Sequence, residues 1–211
     1  MLHGSAGHND SVLDVARDLL GARLVRRLAG VIGQPEVTMA GYIVETEAYQ
    51  GESDLACHAR AGRTARTAVM YGPPGRAYVY FIYGMHWMLN VVTGPPDVPE
   101  AVLIRAIVPV TGLAEMARRR GIDPASRLPP ATWTNGPARL CQALGVDGRH
   151  NGADLTDPFG ELVIEAGPRI TPEQIIAGPR VGIERVPEPW RSQPWRFRLQ
   201  NWQVPSAPGA A

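Results

Sequence analysis

The chain has 211 residues, of which 45% are hydrophobic and 19% are charged, and its formal net charge is +1. This length suits one globular domain with its own core, and this composition excludes a wholly disordered chain, a coiled coil and a collagen. No apolar run approaches the roughly 20 residues of a membrane span, and residues 1–10 lack the layout of a signal peptide. The two cysteines, Cys57 and Cys141, are too few for a disulfide framework. We therefore expect a soluble protein of the reducing cytoplasm.

Helix and strand patterns alternate along the chain without an internal repeat or a linker, which predicts one mixed α/β domain over residues 11–204. Ser11 and Asp14 form a capping-box-like pair that predicts a first helix. Residues 1–10 are interpreted as a flexible tail and residues 205–211 as a frayed one. The further predicted elements are strands at residues 23–28, 40–48, 101–108 and 162–166, and helices at residues 112–120, at residues 136–144 and from Thr171-Pro172 onward.

Residues 77–93 contain two β-rich runs separated by a turn around Gly84, which predicts a β-hairpin. All six tyrosines lie between residues 42 and 83, and Tyr83 falls at the predicted turn. Strands favour aromatic residues, so packing explains Tyr78, but burial does not explain an aromatic residue at the tip of a turn. Nucleic-acid-binding proteins stack such residues on bases or insert them between base steps. The predicted hairpin therefore favours a nucleic acid as the partner.

The basic residues are unevenly distributed. All 21 of them are Arg, because the chain has no Lys. Residues 55–96 hold Arg60, Arg63, Arg66 and Arg76 and no acidic residue. The forked guanidinium group suits phosphates, so this stretch is a candidate phosphate-facing surface. The alternative is a basic stretch that faces solvent or pairs with acids elsewhere in the fold.

The predicted strand at residues 40–49 carries two carboxylates near its end. Alternate residues of a strand share a face, so Glu45, Glu47 and Tyr49 point to one side. A solvent-facing edge explains this pattern. If the strand instead ends in a cleft, a partly buried Glu is a natural general base for activating water.

His58 follows Cys57 in a stretch that is too short and too polar to be predicted as part of the hydrophobic core. The pair could suggest zinc, but no second pair with metal-ligand spacing accompanies it, so we expect neither a metal nor another cofactor. Cys57 as a nucleophile would need a base and a group that orients the base, and the sequence offers no third group. The GPPG run at residues 72–75 is a turn and not a phosphate loop, because no G-K-[ST] follows it.

With these residues identified, the sequence resembles the 3-methyladenine (alkyladenine) DNA glycosylase family from about Val12 to Phe197. Several long blocks in the right order are more specific than any single motif. The resemblance implies an α+β fold, a compact domain around a curved antiparallel sheet, with a protruding β-hairpin that inserts into DNA. The matching blocks are DVARDLLG (14–21), IVETEAY (43–49), HARAGRT (58–64), MYGPPGRAYVYFIYGMHWMLN (70–90), VLIRA (102–106), GPARLCQAL (136–144) and PWRF (194–197).

The resemblance also implies roles for individual residues. Glu47 takes the place of the family's water-activating carboxylate, and Arg105 that of the Arg near the catalytic water and the DNA backbone. Tyr83 takes the place of the wedge that fills the duplex where a base has left. The residues implied for the base-binding pocket are Tyr49, His58 and Tyr80, which stack around the base, and Asn90, which crowds the exocyclic amine of normal guanine.

The function implied is that of a DNA glycosylase that starts base excision repair. It would act as a monomer on double-stranded DNA of the nucleoid. It would flip out alkylated purines such as 3-methyladenine and 7-methylguanine and hydrolyse their N-glycosidic bond. Whether hypoxanthine and etheno adducts are also substrates is left open. Glycosylases that also cut the strand form a Schiff base through an amine, usually of Lys, so the missing lysines predict a monofunctional enzyme. The alternatives are a non-catalytic lesion-binding module, a nucleoside hydrolase and an RNA-binding domain.

Overall fold

The computed structural model describes residues 11–30, 36–123 and 125–204. The two predicted tails, residues 1–10 and 205–211, lie outside the described residues. Within the described ranges, the chain forms eight strands and three α-helices. The strands are β1 (Arg23–Leu28), β2 (Val37–Gln50), β3 (Ala77–Ile82), β4 (His86–Val92), β5 (Glu100–Thr111), β6 (Leu162–Glu165), β7 (Ile175–Gly178) and β8 (Arg196–Leu199), and the helices are α1 (Val12–Asp18), α2 (Leu113–Arg119) and α3 (Pro137–Leu144).

All eight strands join one antiparallel sheet. The main order is β3-β4-β5-β2-β1-β6, while β8 pairs with the later part of β2 and β7 pairs with β8. β2 is the longest strand, and it pairs with β5 along most of its length. Its register against β5 shifts near Gly41 and on both sides of Glu45, and such bulges bend a sheet. The predicted single α+β domain around a curved antiparallel sheet is confirmed.

The main core lies between the sheet and the helices. Side chains of α1, α3 and the central strands form one buried hydrophobic cluster, which includes Ala16, Ala48, Ile104 and Leu140. Ser11 caps α1 as the sequence predicts, since its side chain accepts a hydrogen bond from the amide of Asp14. At the end of β2, Ala48 points into this core, so its neighbours Glu47 and Tyr49 point to the opposite face of the sheet.

A second, smaller cluster contradicts the expectation that the segment around His58 is not core. Cys57 and Ala59 are buried against residues of β3, β4 and β5, including Tyr78. Two single-turn 3₁₀ helices, Gly51–Ser53 and His58–Ala61, carry this segment back onto the sheet. The segment is short, but the sheet supplies the apolar surface that its sequence lacks.

The helix predicted from Thr171 onward is wrong. Pro172–Gln174 makes a single 3₁₀ turn, in which the Gln174 side chain accepts a hydrogen bond from the Thr171 amide at 2.9 Å. The next residues form β7, which pairs with β8. The helix-start pattern at Thr171 is correct for one turn. Pairing with β8 then determines the extended conformation of the residues that follow.

The predicted hairpin consists of β3 and β4, with Tyr78 opposite Asn90 and Ile82 opposite His86. Tyr83, Gly84 and Met85 connect the strands, and the first two have positive φ angles, 55° and 67°. The Met85 amide donates a hydrogen bond to the Ile82 carbonyl at 3.2 Å, which closes the turn. Among the described residues, none of the helices is long and apolar enough to cross a membrane.

Candidate active site

A cavity of about 310 Å³ lies where β2, β3, β4 and β5 meet the segment around His58 and a loop at residues 181–183. Six of the seven residues predicted from the sequence line this cavity. They are Tyr49, His58, Tyr80, Tyr83, Asn90 and Arg105. The seventh, Glu47, lies behind the wall, where three residues of the lining bind its carboxylate.

Glu47 is fully buried. The Tyr49 hydroxyl donates a hydrogen bond to its Oε2 at 3.0 Å, and the Val181 amide donates one to its Oε1 at 2.7 Å. Nη1 of Arg105 lies 3.3 Å from Oε1. Burial raises the pKa of Glu47 above its ordinary value, and the Arg105 charge and the two hydrogen bonds oppose this rise. The solvent-facing alternative for this carboxylate is therefore wrong.

Arg105 is placed by an irregularity of the sheet. Glu45 pairs with Ala106 and Thr46 with Ile104, so Arg105 is the extra residue of a β-bulge. Its Nε donates to Oε1 of Glu45 at 2.8 Å, and Arg196 donates to the same oxygen at 2.7 Å. The bulge explains how a charged side chain of an apolar strand turns toward the carboxylates of β2.

Aromatic rings form much of the cavity wall. The rings of His58 and Tyr80 meet edge to face with centroids 4.4 Å apart, and Tyr78 lies 5.3 Å from Tyr80. Nδ1 of His58 is 3.0 Å from the Tyr78 hydroxyl. Burial, helped by the positive charges of Arg66 and Arg60, lowers the pKa of His58 to about 4. His58 is therefore a neutral ring at neutral pH.

Asn90 lies on β4 and is almost completely buried. Its side-chain amide donates a hydrogen bond to the Tyr78 carbonyl at 3.0 Å, which fixes its orientation. The side chain therefore presents a rigid polar group to a cavity whose other walls are mostly aromatic and apolar.

Tyr83 occupies the opposite end of the site, at the tip of the hairpin. Its side chain is 76% exposed, and Met85 beside it is 67% exposed. A non-glycine residue with positive φ is strained unless the surroundings favour it. Packing within the chain does not explain this exposed aromatic residue, whose position at the mouth of the cavity suits contact with a ligand.

Two structural features were not found from the sequence. The first is the Val181 amide, a backbone group with no side-chain signature. The second is a buried ion pair in which Arg180 donates to both carboxylate oxygens of Asp54, 126 residues away. None of these three residues belongs to a periodic pattern or to a block of the family resemblance. No signal in the sequence therefore indicated Asp54, Arg180 or Val181.

The acid-free arginine stretch divides into two kinds of residue. Arg63 pairs with Asp97 at 3.5 Å and Arg76 with Asp154 at 3.4 Å, as the alternative of acids elsewhere in the fold predicts. Arg66 lies over the Tyr80 ring at 5.3 Å. Within the described part of the chain, no carboxylate pairs with Arg60 or Arg66. Arg60 instead donates a hydrogen bond to the Leu55 carbonyl.

Metal-ligand and thiol chemistry have little support in the described residues. No group of three or more His, Cys, Asp or Glu side chains is arranged there to hold a metal ion. Cys57 lines the cavity, but burial raises the pKa of its thiol to about 11, so it is not a thiolate at neutral pH. The geometry instead combines an aromatic cavity with a buried carboxylate directly behind its wall.

The comparison with known proteins identifies the family. A sequence profile of the methylpurine-DNA glycosylase family matches residues 7–203. A protein of Rhodopseudomonas palustris (strain BisB18) named "Putative 3-methyladenine DNA glycosylase" is 44% identical, over 95% of this chain and 88% of its own length. Proteins of the same name from Methanocella arvoryzae and Bacillus cytotoxicus are 47% and 41% identical, over 90% and 92% of this chain and 88% and 94% of their own lengths. The chain belongs to the methylpurine-DNA glycosylase family, and the resemblance seen in the sequence is confirmed.

Proposed function

We propose that the protein is a monofunctional DNA glycosylase, which flips alkylated purines out of duplex DNA and hydrolyses their N-glycosidic bond to start base excision repair. The observation that carries this proposal is the fully buried Glu47 carboxylate behind an aromatic cavity, held by Tyr49, Val181 and Arg105. Its substrates are 3-methyladenine and 7-methylguanine in double-stranded DNA. A monomer suffices, because one chain supplies all the proposed site residues.

The damaged base must leave the duplex before it can enter the cavity. Extrusion costs a few kcal/mol of stacking and pairing energy, and less for a damaged pair. Tyr83 fills the space that the base leaves, since its exposed ring stands at the mouth of the cavity. Arg60 and Arg66, which have no carboxylate partner among the described residues, hold the phosphates of the distorted strand.

The extruded base stacks among Tyr49, His58 and Tyr80. Alkylation gives 3-methyladenine and 7-methylguanine a positive charge, which electron-rich rings attract. His58 does not repel this charge, because its lowered pKa keeps it neutral. Asn90 is fixed by its hydrogen bond to the Tyr78 carbonyl, and we place it against the exocyclic amine of guanine. 7-Methylguanine carries the same amine, but its positive charge, which an unmodified guanine lacks, favours stacking and departure of the base.

The chemical step is a displacement at the sugar C1′. Glu47 accepts a proton from a water molecule, the water oxygen bonds to C1′, and the N-glycosidic electron pair leaves with the base. The negative charge of Glu47 also stabilises the oxocarbenium-like transition state. A positively charged purine departs as a neutral base, so the reaction needs little acid catalysis.

Neutral lesions such as hypoxanthine should be poorer substrates. Their departure requires protonation of the purine. Among the described residues that line the cavity, His58 is neutral and burial raises the pKa of Tyr78 to about 12, so neither is an effective acid at neutral pH. Release of hypoxanthine is therefore slower than release of 7-methylguanine.

The experiment that tests this function measures free base and strand integrity together. The protein is incubated with duplex DNA that carries 7-methylguanine, and the products are separated before and after treatment with hot alkali. We expect free 7-methylguanine, with strand breaks only after the alkali, because a chain without Lys lacks the usual Schiff-base amine. Breaks without alkali would contradict the monofunctional assignment.

A non-catalytic lesion-binding module is the second candidate. It would keep the aromatic cavity and Tyr83, which suffice for binding. It would gain nothing from a buried carboxylate close to anionic DNA, so Glu47 favours the enzyme. Lesion binding by the wild-type protein without any base release would establish the module instead.

A further inference from the structure

The buried ion pair between Asp54 and Arg180 lies directly behind the cavity. Both side chains are fully buried. Nη2 of Arg180 donates to Oδ1 of Asp54 at 2.9 Å, and its Nη1 donates to Oδ2. A buried pair of this kind is weak support for stability alone, because desolvation opposes the attraction of the charges. Its position therefore calls for another explanation.

The pair connects three segments that form the site. Arg180 donates to the Ala48 carbonyl at 2.9 Å, between Glu47 and Tyr49 on β2. Asp54 accepts hydrogen bonds from the amides of Gln50, at the end of β2, and of Ala56, close to His58. Arg180 also precedes Val181, whose amide binds Glu47. The pair thus fixes the two strand residues, the histidine segment and the loop relative to one another.

The guanidinium group of Arg180 also packs on an aromatic wall of the cavity. It lies 4.7 Å from the centroid of the Tyr49 ring and 4.9 Å from that of Trp195. Tyr49 lines the cavity and Arg180 does not, so Arg180 covers a part of the ring that faces away from it. A positive charge would thus lie behind a ring on which we place a cationic base.

We infer that Asp54 and Arg180 are positioning residues that also set the preference of the site for cationic bases. Arg180 fixes the Tyr49 ring, and Asp54 neutralises the guanidinium so that the ring still attracts a positively charged purine. A base stacked ~3.5 Å beyond the ring lies ~8 Å from the guanidinium, with the Tyr49 ring between the two. Without the Asp54 charge, Arg180 repels a cationic base and leaves a neutral one unaffected.

This inference rests on the proposed function, and the test separates the two. Base release from duplex DNA with 7-methylguanine is first measured with the wild-type protein, and no release would overturn the proposed function itself. Affinities are then measured in a Glu47→Gln background, which prevents release. The two probes are otherwise identical duplexes with one 7-methylguanine, which is cationic, or one hypoxanthine, which is neutral. The readout is the ratio of the two affinities.

Asp54→Asn keeps the shape and one acceptor oxygen but removes the charge. We expect it to lower affinity for the 7-methylguanine duplex at least ~tenfold more than affinity for the hypoxanthine duplex. Asp154→Asn, which removes the charge of an ion pair with Arg76 outside the cavity lining, is the matched control and leaves the ratio unchanged. Equal losses for both duplexes, or no loss, would reduce Asp54 to a structural role and overturn the inference.

Arg180→Met provides an opposite change in charge. The variant removes the guanidinium behind the Tyr49 ring and raises the ratio at least ~threefold. A role in folding alone predicts no opposite signs for the two variants. If only one variant folds, as judged by its circular dichroism and cooperative melting, an unchanged ratio in that variant overturns the inference.

Discussion

The two ends of the candidate site are built on different principles. Around Glu47, three partners hold one carboxylate in a place without solvent contact, and a bulge of β5 supplies one of them. Around Tyr83, the ring stands exposed on a turn with positive φ and is held by little besides the two hairpin strands. The inner end is suited to chemistry that needs a fixed geometry, and the outer end to contact with a large, deformable partner. Changes at the two ends should therefore separate stability from activity.

Arg105→Leu, at the inner end, is expected to cause the largest combined loss of stability and base release. The substitution leaves Glu47 buried without its ion-pair partner, which costs about 3–5 kcal/mol of unfolding free energy, and base release falls with it. Urea unfolding and single-turnover release measure the two quantities. Arg23→Leu breaks a half-exposed pair with Glu165 and should cost at most about 1 kcal/mol. Similar small losses of unfolding free energy in both variants would mean that the Arg105–Glu47 ion pair does not stabilise the fold.

At the outer end, Tyr83→Gly should reverse this pattern. Glycine adopts the positive φ of the turn without strain, so the unfolding free energy changes by less than about 1 kcal/mol. Release of 7-methylguanine falls by ~10- to 100-fold, because a stacking aromatic residue contributes about 1–3 kcal/mol. Phe159→Ala, at a side chain that is 93% exposed but does not line the cavity, is the control and changes neither quantity. Full activity of Tyr83→Gly would remove the wedge from the mechanism.

A pH profile distinguishes the two titratable groups of the inner end. Only the ionised carboxylate of Glu47 accepts a proton, so release falls as the pH drops through its pKa. Burial raises this pKa above the ordinary value of 4.5, and the loss therefore begins at a higher pH than for an exposed Glu. His58, with a pKa of about 4, stays neutral over that interval. Single-turnover rates that stay constant down to pH 4.5 would contradict this assignment.

The smallest effect is expected from the arginine surface. Arg60→Gln should weaken binding to any duplex and reduce the slope of log K against log salt by about 1, since one phosphate contact is lost. Arg76→Gln removes a residue that is already paired with Asp154 and should leave the slope unchanged. Equal slopes for both variants and the wild type would place the DNA elsewhere on the surface.

The sequence predicts much of the site where local patterns suffice. Strand alternation places Glu45, Glu47 and Tyr49 on one face. In the structure, Arg105 contacts both carboxylates, and the Tyr49 hydroxyl donates a hydrogen bond to Glu47. The hairpin and its aromatic tip also follow from residues close in the chain. The role implied for Arg105 came from the family resemblance, because a bulge in the pairing of two strands has no signature in either strand alone.

The remaining features depend on contacts between distant parts of the chain. Asp54 and Arg180 meet across 126 residues, and the Val181 amide contributes a backbone atom only. The same cause explains the wrong helix at Thr171, where pairing of β7 with β8 follows a correct one-turn start. Periodicity describes which face of an element is buried, but it does not describe what packs on that face.

The most direct test of the account compares the wild-type protein with Glu47→Gln, which keeps the size of the side chain and removes its basicity. Release of 7-methylguanine from duplex DNA is measured under single-turnover conditions, and lesion affinity is measured in parallel. We predict a loss of release of at least ~10²-fold with affinity retained, as expected for a positioned general base. Undiminished release by Glu47→Gln would show that this buried carboxylate does not activate the water.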